Sequence, residues 1–292
     1  MRIEAEPVRV AFQGEPGAFS EEAATRLLGE DVVTIPQPTF EATFAAMAVG
    51  MADALVVPIE NSLAGSVLRV YDLLLGSDLT IAAETIVPVE LHLIACPGAT
   101  LAHIRSVESH PMALAQCERM FAAHPEWARV AAEDTAGSVR RVVESGDRTR
   151  AAIAGTRAAE RHDGVVLARN VQDSVGNFTR FLLLAERQDA PQTGDKATLA
   201  LRLAHLPGAL VGALEPFARR GLNLLKIESR PIHGCPWEYQ FFLDVEAAPG
   251  EPIEEALEEL RQHVQSLRVL GCYMAARTAG ERAQAASSGR IQ

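Results

Sequence analysis

Cysteine is scarce in this chain: four occur in 292 residues, and Cys96, Cys117, Cys235 and Cys272 are scattered with no Cys-x-x-Cys pair. That spacing argues against a disulfide-stapled fold and a thiolate metal site, so the four thiols are read as free. None of the eight histidines lies at the i, i+4 spacing of a helical zinc site, and no structural metal is expected. Long apolar runs are missing too. No uninterrupted stretch approaches the roughly 20 residues of a membrane helix, and the start MRIEAEPVRV has no apolar signal core. The chain is therefore expected in the cytoplasm. Basic residues are in deficit, with 27 Lys and Arg against 38 Asp and Glu and a formal charge of −11. Such a balance repels phosphate backbones and anionic membranes, so neither is an expected partner.

What is present is enough hydrophobic sequence, 48%, to build cores for two ordinary domains. From about residue 8 to 185, short apolar runs alternate with helical patterns: VRVAFQ then SEEAATRLLG, VVTIPQ then TFEATFAAMAVG, ALVVPIE then GSVLRVYDLLLG, IRSVES then HPMALAQCERMF. This alternation predicts an α/β fold with parallel sheet and crossover helices. In one of the helices Phe40, Phe44 and Met47 share a face, Thr39 caps the start and Gly50 follows the end. The polar stretch ERQDAPQTGDKA, 186 to 197, reads as a linker. After it the pattern becomes β-α-β-β-α-β in under about eighty residues, the ferredoxin-like plan. The small, polar residues 277–292 read as a disordered tail.

In the first domain FQGEPGAFS, PIENSLAGS and ESHP each follow an apolar run and open a helical pattern. Helix N-termini offer unpaired N–H groups and a positive dipole end, and open α/β sheets bind ligands at the carboxyl ends of their strands. Three such turns converging on one crevice suit a small polyanion. Each also has a plain structural reading: Gly14 and Gly17 as turn formers, Ser20 as a cap, Asn61-Ser62 as a loop tie. His110, ahead of Pro111, reads first as a cap and second as a general acid. DSVGNFTRF, 173 to 181, raises a different problem, because an arginine at the mouth of an apolar strand is costly to desolvate without an anion. Side chains alternate along a strand, so Thr179 and Phe181 share one face and Arg180 points to the other. A shared pocket for Thr179 and Arg180 requires a bend.

GEPGAFS, PIENSLAGSV, SHPMALAQC and NFTRF, in this order, resemble the prephenate dehydratase family, and the later unit with PGALVGAL and ESRP is similar to the ACT regulatory domain that accompanies it. The likeness runs over residues 8 to 275. Nothing similar to a chorismate mutase domain precedes it, which is the pattern of the monofunctional form. Phe19 stands where the family often has tyrosine, and Met112 where it often has glutamine.

The resemblance implies a two-lobed catalytic domain, 8–185, shaped like a periplasmic solute-binding protein with chain crossings near 80 and 175, and an ACT domain, 198–276. It implies that prephenate loses carbon dioxide and hydroxide to give phenylpyruvate without a cofactor. Arogenate, with an alanyl side chain, is the alternative substrate, and a non-catalytic amino-acid sensor the alternative function. Thr179 would be the hydrogen-bond donor to the departing oxygen. Arg180 would grip the side-chain carboxylate and Phe181 wall the ring, with Asn61, Ser62, Ser20, Gln13, Ser109 and His110 as further binding residues. Phenylalanine would act as effector at Gly208, Ala209, Leu210 and Val211 with Glu228, Ser229 and Arg230, in a homodimer or homotetramer.

Overall fold

The computed structural model describes residues 7–191, 193–232, 234–235, 237–247 and 253–276, so the 277–292 tail lies outside the described residues. These residues fall in two compact units, Met1–Leu73 with Thr85–Phe181, and Leu74–Glu84 with Leu182–Gln292.

The chain begins with β1 (Arg9–Gln13), α1 (Phe19–Leu28), β2 (Val33–Gln37), α2 (Phe40–Ala48), β3 (Ala54–Asn61), the two-residue β4 (Gly65–Ser66), α3 (Leu68–Leu75) and β5 (Thr80–Pro88). Next come β6 (His92–Ala95), β7 (Ser106–Ser109), α4 (Pro111–Ala115), α5 (Glu118–Ala123), β8 (Ala128–Ala131), α6 (Thr135–Ser145), β9 (Arg150–Ala154), α7 (Thr156–Arg161), β10 (Val165–Ala168) and β11 (Phe178–Ala185). One sheet has the order β2-β1-β3-β11-β5, with β4 paired back onto β3, and a second has the order β10-β6-β9-β7-β8. β5 and β11 both belong to the first sheet, so the chain leaves it after Pro88, not near 80, and returns at Phe178.

Parallel pairing holds for β1 with β2 and β3, and for β7 with β8 and β9. The second sheet is mixed, however: β6 runs antiparallel to both β9 and β10. No helix separates β5 from β6, so nothing reverses the chain there as a crossover would. Residues 54–57 of β3 are buried without alternation, as helices on both faces of a parallel sheet require. Thr39 accepts the Ala42 N–H at 3.1 Å to start α2, and Gly50 follows its end at φ +69°.

The second unit adds β12 (Lys196–Arg202), α8 (Ala209–Arg219), β13 (Asn223–Pro231), β14 (Tyr239–Glu246), α9 (Glu254–Leu260) and β15 (Ser266–Tyr273), in the β-α-β-β-α-β order. Its antiparallel sheet has the order β13-β14-β12-β15. Leu199, Leu201, Leu243 and Val245 pack on one face against Ala213 and Phe217 of α8 and Ala256 and Leu260 of α9. Against the other face lies the segment Leu74–Glu84. A Cβ on Gly271 would meet the Ile81 carbonyl oxygen at 2.5 Å, which shows how close the two backbones come. Lys196 begins β12 at 5% exposure because both Glu84 oxygens accept from its Nζ at 2.9 Å.

Candidate functional site

Within the first unit, the ends of β1 and β3, the start of β11 and the starts of α1, α4 and α6 line a crevice of about 440 Å³. Gln13, Ser20, Asn61, His110, Thr179 and Phe181 from the sequence reading all line it. Among the described residues no Lys or Arg does, so the donors that line it are neutral side chains and backbone N–H groups, beside the carboxyl groups of Glu133 and Asp134. α1 begins after Ala18, which has no side-chain acceptor to cap it, so no side-chain cap competes for the amides of Phe19 and Ser20, two residues that line the crevice. His110 caps α4 by accepting the Met112 N–H at Nδ1, as Pro111 after it suggests.

The polarity of the Thr179 hydroxyl follows from backbone constraints. Asn61 Oδ1 accepts the N–H groups of Leu63 and Ala64 at 3.0 and 2.9 Å. Those groups only donate, so the opposite end of the amide must be nitrogen. Asn61 Nδ2 then donates to Thr179 Oγ1 at 2.9 Å and to Asn177 Oδ1 at 2.7 Å. Thr179 is thus an acceptor toward Asn61, and its own hydrogen is left for another partner. The same Asx bonds turn the chain tightly into β4, so PIENSLAGS closes a hairpin before α3 instead of opening a helix directly.

Arg180 corrects the sequence reading. β11 is already a regular strand at Phe178, and no bend brings consecutive side chains into one pocket. Arg180 is not among the crevice residues, and it pairs with Glu60 at 3.2 Å. Glu60 precedes Asn61 as Arg180 follows Thr179, so the two alternations match: one face carries the Asn61–Thr179 bond and the other the ion pair. Ser62 and Ser109 also lie outside the crevice lining. The Ser62 hydroxyl donates to the Gly176 carbonyl and accepts the Phe178 N–H, tying two loops together. Ser109 is fully buried and donates to the Ile153 carbonyl at 2.6 Å.

Several lining residues escape the sequence reading. Gln116 and Asn177 line the crevice, and Asn177 Nδ2 donates to Gln116 Oε1 at 3.0 Å. Phe19 and Phe40 join Phe181 as aromatic walls, and Glu133, Asp134 and Thr135 come from the start of α6. The sequence signal for Asn177 is present but reads as a loop-forming Asx residue. For Gln116, one turn past Met112, there is none beyond its motif.

Behind the crevice the two lobes of this unit are joined by Glu21, 1% exposed in α1. Its carboxylate accepts from the Gly17 N–H at 2.7 Å, Thr34 Oγ1 at 3.0 Å, Arg161 at 2.7 Å and Arg157 at 3.3 Å, the two arginines belonging to α7. Burial alone would raise its pKa, but the Gly17 N–H and the Arg161 and Thr34 hydrogen bonds outweigh burial and hold it below the ordinary value. Gly17, at φ +91°, lies so close to α7 that an added Cβ would sit 2.6 Å from Ala158 Cα. Burial, reinforced by the Asp173 and Glu118 carboxylates, pushes the Cys117 thiol up to about 12, so this neighbour of Gln116 is a packing group and not a nucleophile.

In the second unit Gly208, at φ +82°, precedes α8, whose first turn holds Ala209, Leu210 and Val211. Val211 is 72% exposed and so is not a core residue. On β13, Ser229 lies opposite Phe241, which packs with the helix-facing core, whereas Glu228 and Arg230 lie opposite Phe242 and Gln240 on the other face. Alternation therefore divides the expected effector set. Of the three, only Ser229 shares the α8 face.

Two α/β lobes with a small crevice of polar side chains and aromatic rings describe a small-ligand site. A family profile described as prephenate dehydratase matches residues 10–189, and the chain belongs to that family. It is 40% identical over 283 residues to the arogenate dehydratase/prephenate dehydratase 1, chloroplastic, of Arabidopsis thaliana, covering 91% of this chain and 72% of that one. The prephenate dehydratase of Arthrobacter aurescens, solved in complex with L-Phe, superposes with a TM-score of 0.82 at 33% identity, covering 97% of each chain. A protein described as GqqA, a novel type of quorum-quenching acylase, superposes at 0.83 with 36% identity over 92% of this chain and 98% of that one. Dehydratases of this family are carbon–oxygen lyases.

Proposed function

We propose that the crevice converts prephenate to phenylpyruvate, with loss of carbon dioxide and hydroxide and without a cofactor. The observation that carries this reading is the Asn61 Nδ2 to Thr179 Oγ1 bond at 2.9 Å, which leaves the Thr179 hydrogen available to the departing hydroxyl. Hydroxide is a poor leaving group, and a positioned donor contributes about a hundredfold or more. Aromatisation supplies much of the driving force, so the remaining task is to hold the dianion. The first-turn amides of α1, with Ser20 and Gln13, take a carboxylate, and Phe181 and Phe40 flank the ring. A carboxylate that must leave is best held weakly, since only contacts that strengthen in the transition state accelerate the step. A lining without Lys or Arg suits that requirement.

Arogenate carries the same leaving groups on an alanyl side chain, and the Arabidopsis relative's name joins both activities. Amide hydrolysis, the activity in the GqqA description, is less well supported: a nucleophilic hydroxyl needs a base to accept its proton, and the amide beside Thr179 donates to it. The second unit is read as an ACT domain that binds phenylalanine at the start of α8 near Ser229, in paired chains, a reading supported by the L-Phe complex of the Arthrobacter protein.

The deciding assay is phenylpyruvate formation from prephenate, with arogenate in parallel, in wild type and Thr179→Val, each with and without phenylalanine. Thr179→Val should lose about 10² to 10⁴ in kcat while still binding phenylalanine. Unchanged turnover would refute the role of the hydroxyl.

A further inference from the structure

We propose that Asn177 is a positioning residue that fixes which end of the Gln116 amide faces the crevice, and so supplies the site with a second neutral donor. The inference rests on the dehydratase reading and deepens it.

Three amides form a chain whose direction is set at one end. Backbone N–H groups of Leu63 and Ala64 fix Asn61 Oδ1. Asn61 Nδ2 therefore meets Asn177, and the atom it meets must be an acceptor, Oδ1, at 2.7 Å. Asn177 Nδ2 is then the end that reaches Gln116, where it must find Oε1, at 3.0 Å. Gln116 is left with the two hydrogens of Nε2, which have no protein partner among the described residues, and the residue borders both the crevice and a smaller cavity beside Gln172, Asp173 and Ser174. Asn177 is 5% exposed, so water competes little with the two amides that hold its side chain. Its backbone carbonyl also accepts the Val89 N–H at 2.8 Å, which holds the residue in place from the segment that follows β5. The crevice therefore presents a Thr179 O–H and a Gln116 N–H₂ to an anionic ligand, both oriented from the same backbone turn.

Asn177→Asp tests this with almost no change of volume. Once ionised, the introduced carboxylate accepts from Asn61 as before but has no hydrogen for Gln116. The Gln116 amide must then turn to donate to it, and presents its oxygen to the substrate carboxylate. At pH 8.5 kcat/KM for prephenate should fall on the order of tenfold to a hundredfold. Burial raises the pKa of the new carboxyl, and on protonation it regains a donor for Gln116. Its kcat/KM relative to wild type should accordingly recover at least about threefold between pH 8.5 and pH 6. In a Gln116→Met background, Asn177→Asp should cost nothing further, because its effect passes through Gln116. A loss independent of pH, or losses that multiply in the double variant, would overturn the proposal. If Asn177→Asp does not fold, Gln116→Glu decides: it can accept from Asn177 yet offers a second oxygen to the crevice, and wild-type kcat/KM would overturn the proposal equally. Absence of wild-type turnover would instead refute the dehydratase reading. The amide chain would then be judged from calorimetric affinity for prephenate, expected to weaken about tenfold in Asn177→Asp at pH 8.5 and to recover at pH 6.

Discussion

Glu21→Gln should destabilise the protein by an amount that can be worked out from its contacts. Each carboxylate oxygen accepts two hydrogen bonds, Oε1 from Arg161 and Thr34, Oε2 from the Gly17 N–H and Arg157. Glutamine keeps one acceptor oxygen and turns an N–H₂ toward the other pair of donors. If the oxygen stays with Arg161 and Thr34, the buried Gly17 N–H loses its strong acceptor, which costs about 1–3 kcal/mol. Loss of charge toward the arginines adds about 1 kcal/mol, kept small because the Arg161 side chain is 48% exposed. The total is about 2–4 kcal/mol, which in a unit of this size lowers Tm by roughly 5–15 °C. Calorimetric or circular-dichroism melting at pH 7 measures it. The folded pKa of Glu21 lies below its ordinary value of 4.5, so its contribution is complete above that pH and disappears as pH falls through the lower, folded value. The gap between wild type and Glu21→Gln should therefore close in strong acid. A gap below about 2 °C at pH 7, or one that persists undiminished in acid, would refute the assignment of Glu21 as the joint between the lobes.

Three further outcomes are expected. Arg180→Met should change KM for prephenate by less than about threefold, because the guanidinium meets Glu60 and not the crevice; a tenfold rise would return it to the site. Cys117 should resist alkylation at pH 8 in the native protein and react fully in denaturant, as peptide mass mapping can read, because burial and two nearby carboxylates keep its thiol protonated. Lys196→Met leaves Glu84 buried without its cation and should cost about 3–5 kcal/mol in chemical denaturation; adding Glu84→Gln should recover part of this, and a single variant as stable as wild type would contradict the buried pairing.

Much of the fold is legible because its signals are local. Thr39 and Gly50 delimit α2, and short apolar runs mark β1, β3 and β9. Strands that carry charge are harder to read. β5 includes Glu84, which would demote a strand if exposed, yet it is neutralised by Lys196, 112 residues later, from a stretch that reads as linker. A partner at that separation leaves no mark on either segment. β6 and β10 are four residues each, too short for periodicity to register, and no helical pattern sets β6 apart from β5.

The site is legible in its motifs and misleading where motifs are read as blocks. Consecutive residues of a strand face opposite ways, so a run such as Thr179-Arg180-Phe181 cannot deliver three side chains to one ligand. The same rule divides Glu228, Ser229 and Arg230 on β13. Applied to β11, it assigns Arg180 to the Glu60 face and leaves the crevice without a cation. It also turns attention to residues that reach the crevice from turns, where alternation does not operate. Asn177 and Gln116 sit at such positions, the residue before β11 and the cap after α4, and they join Asn61, which register places at the end of β3. Their amides can be aimed by neighbours, whereas a strand side chain is aimed by its register. Neutral, directional donors of this kind suit the charge problem itself, because a reaction that discards one carboxylate from a dianion is better served by donors that discriminate position than by a cation that attracts both alike.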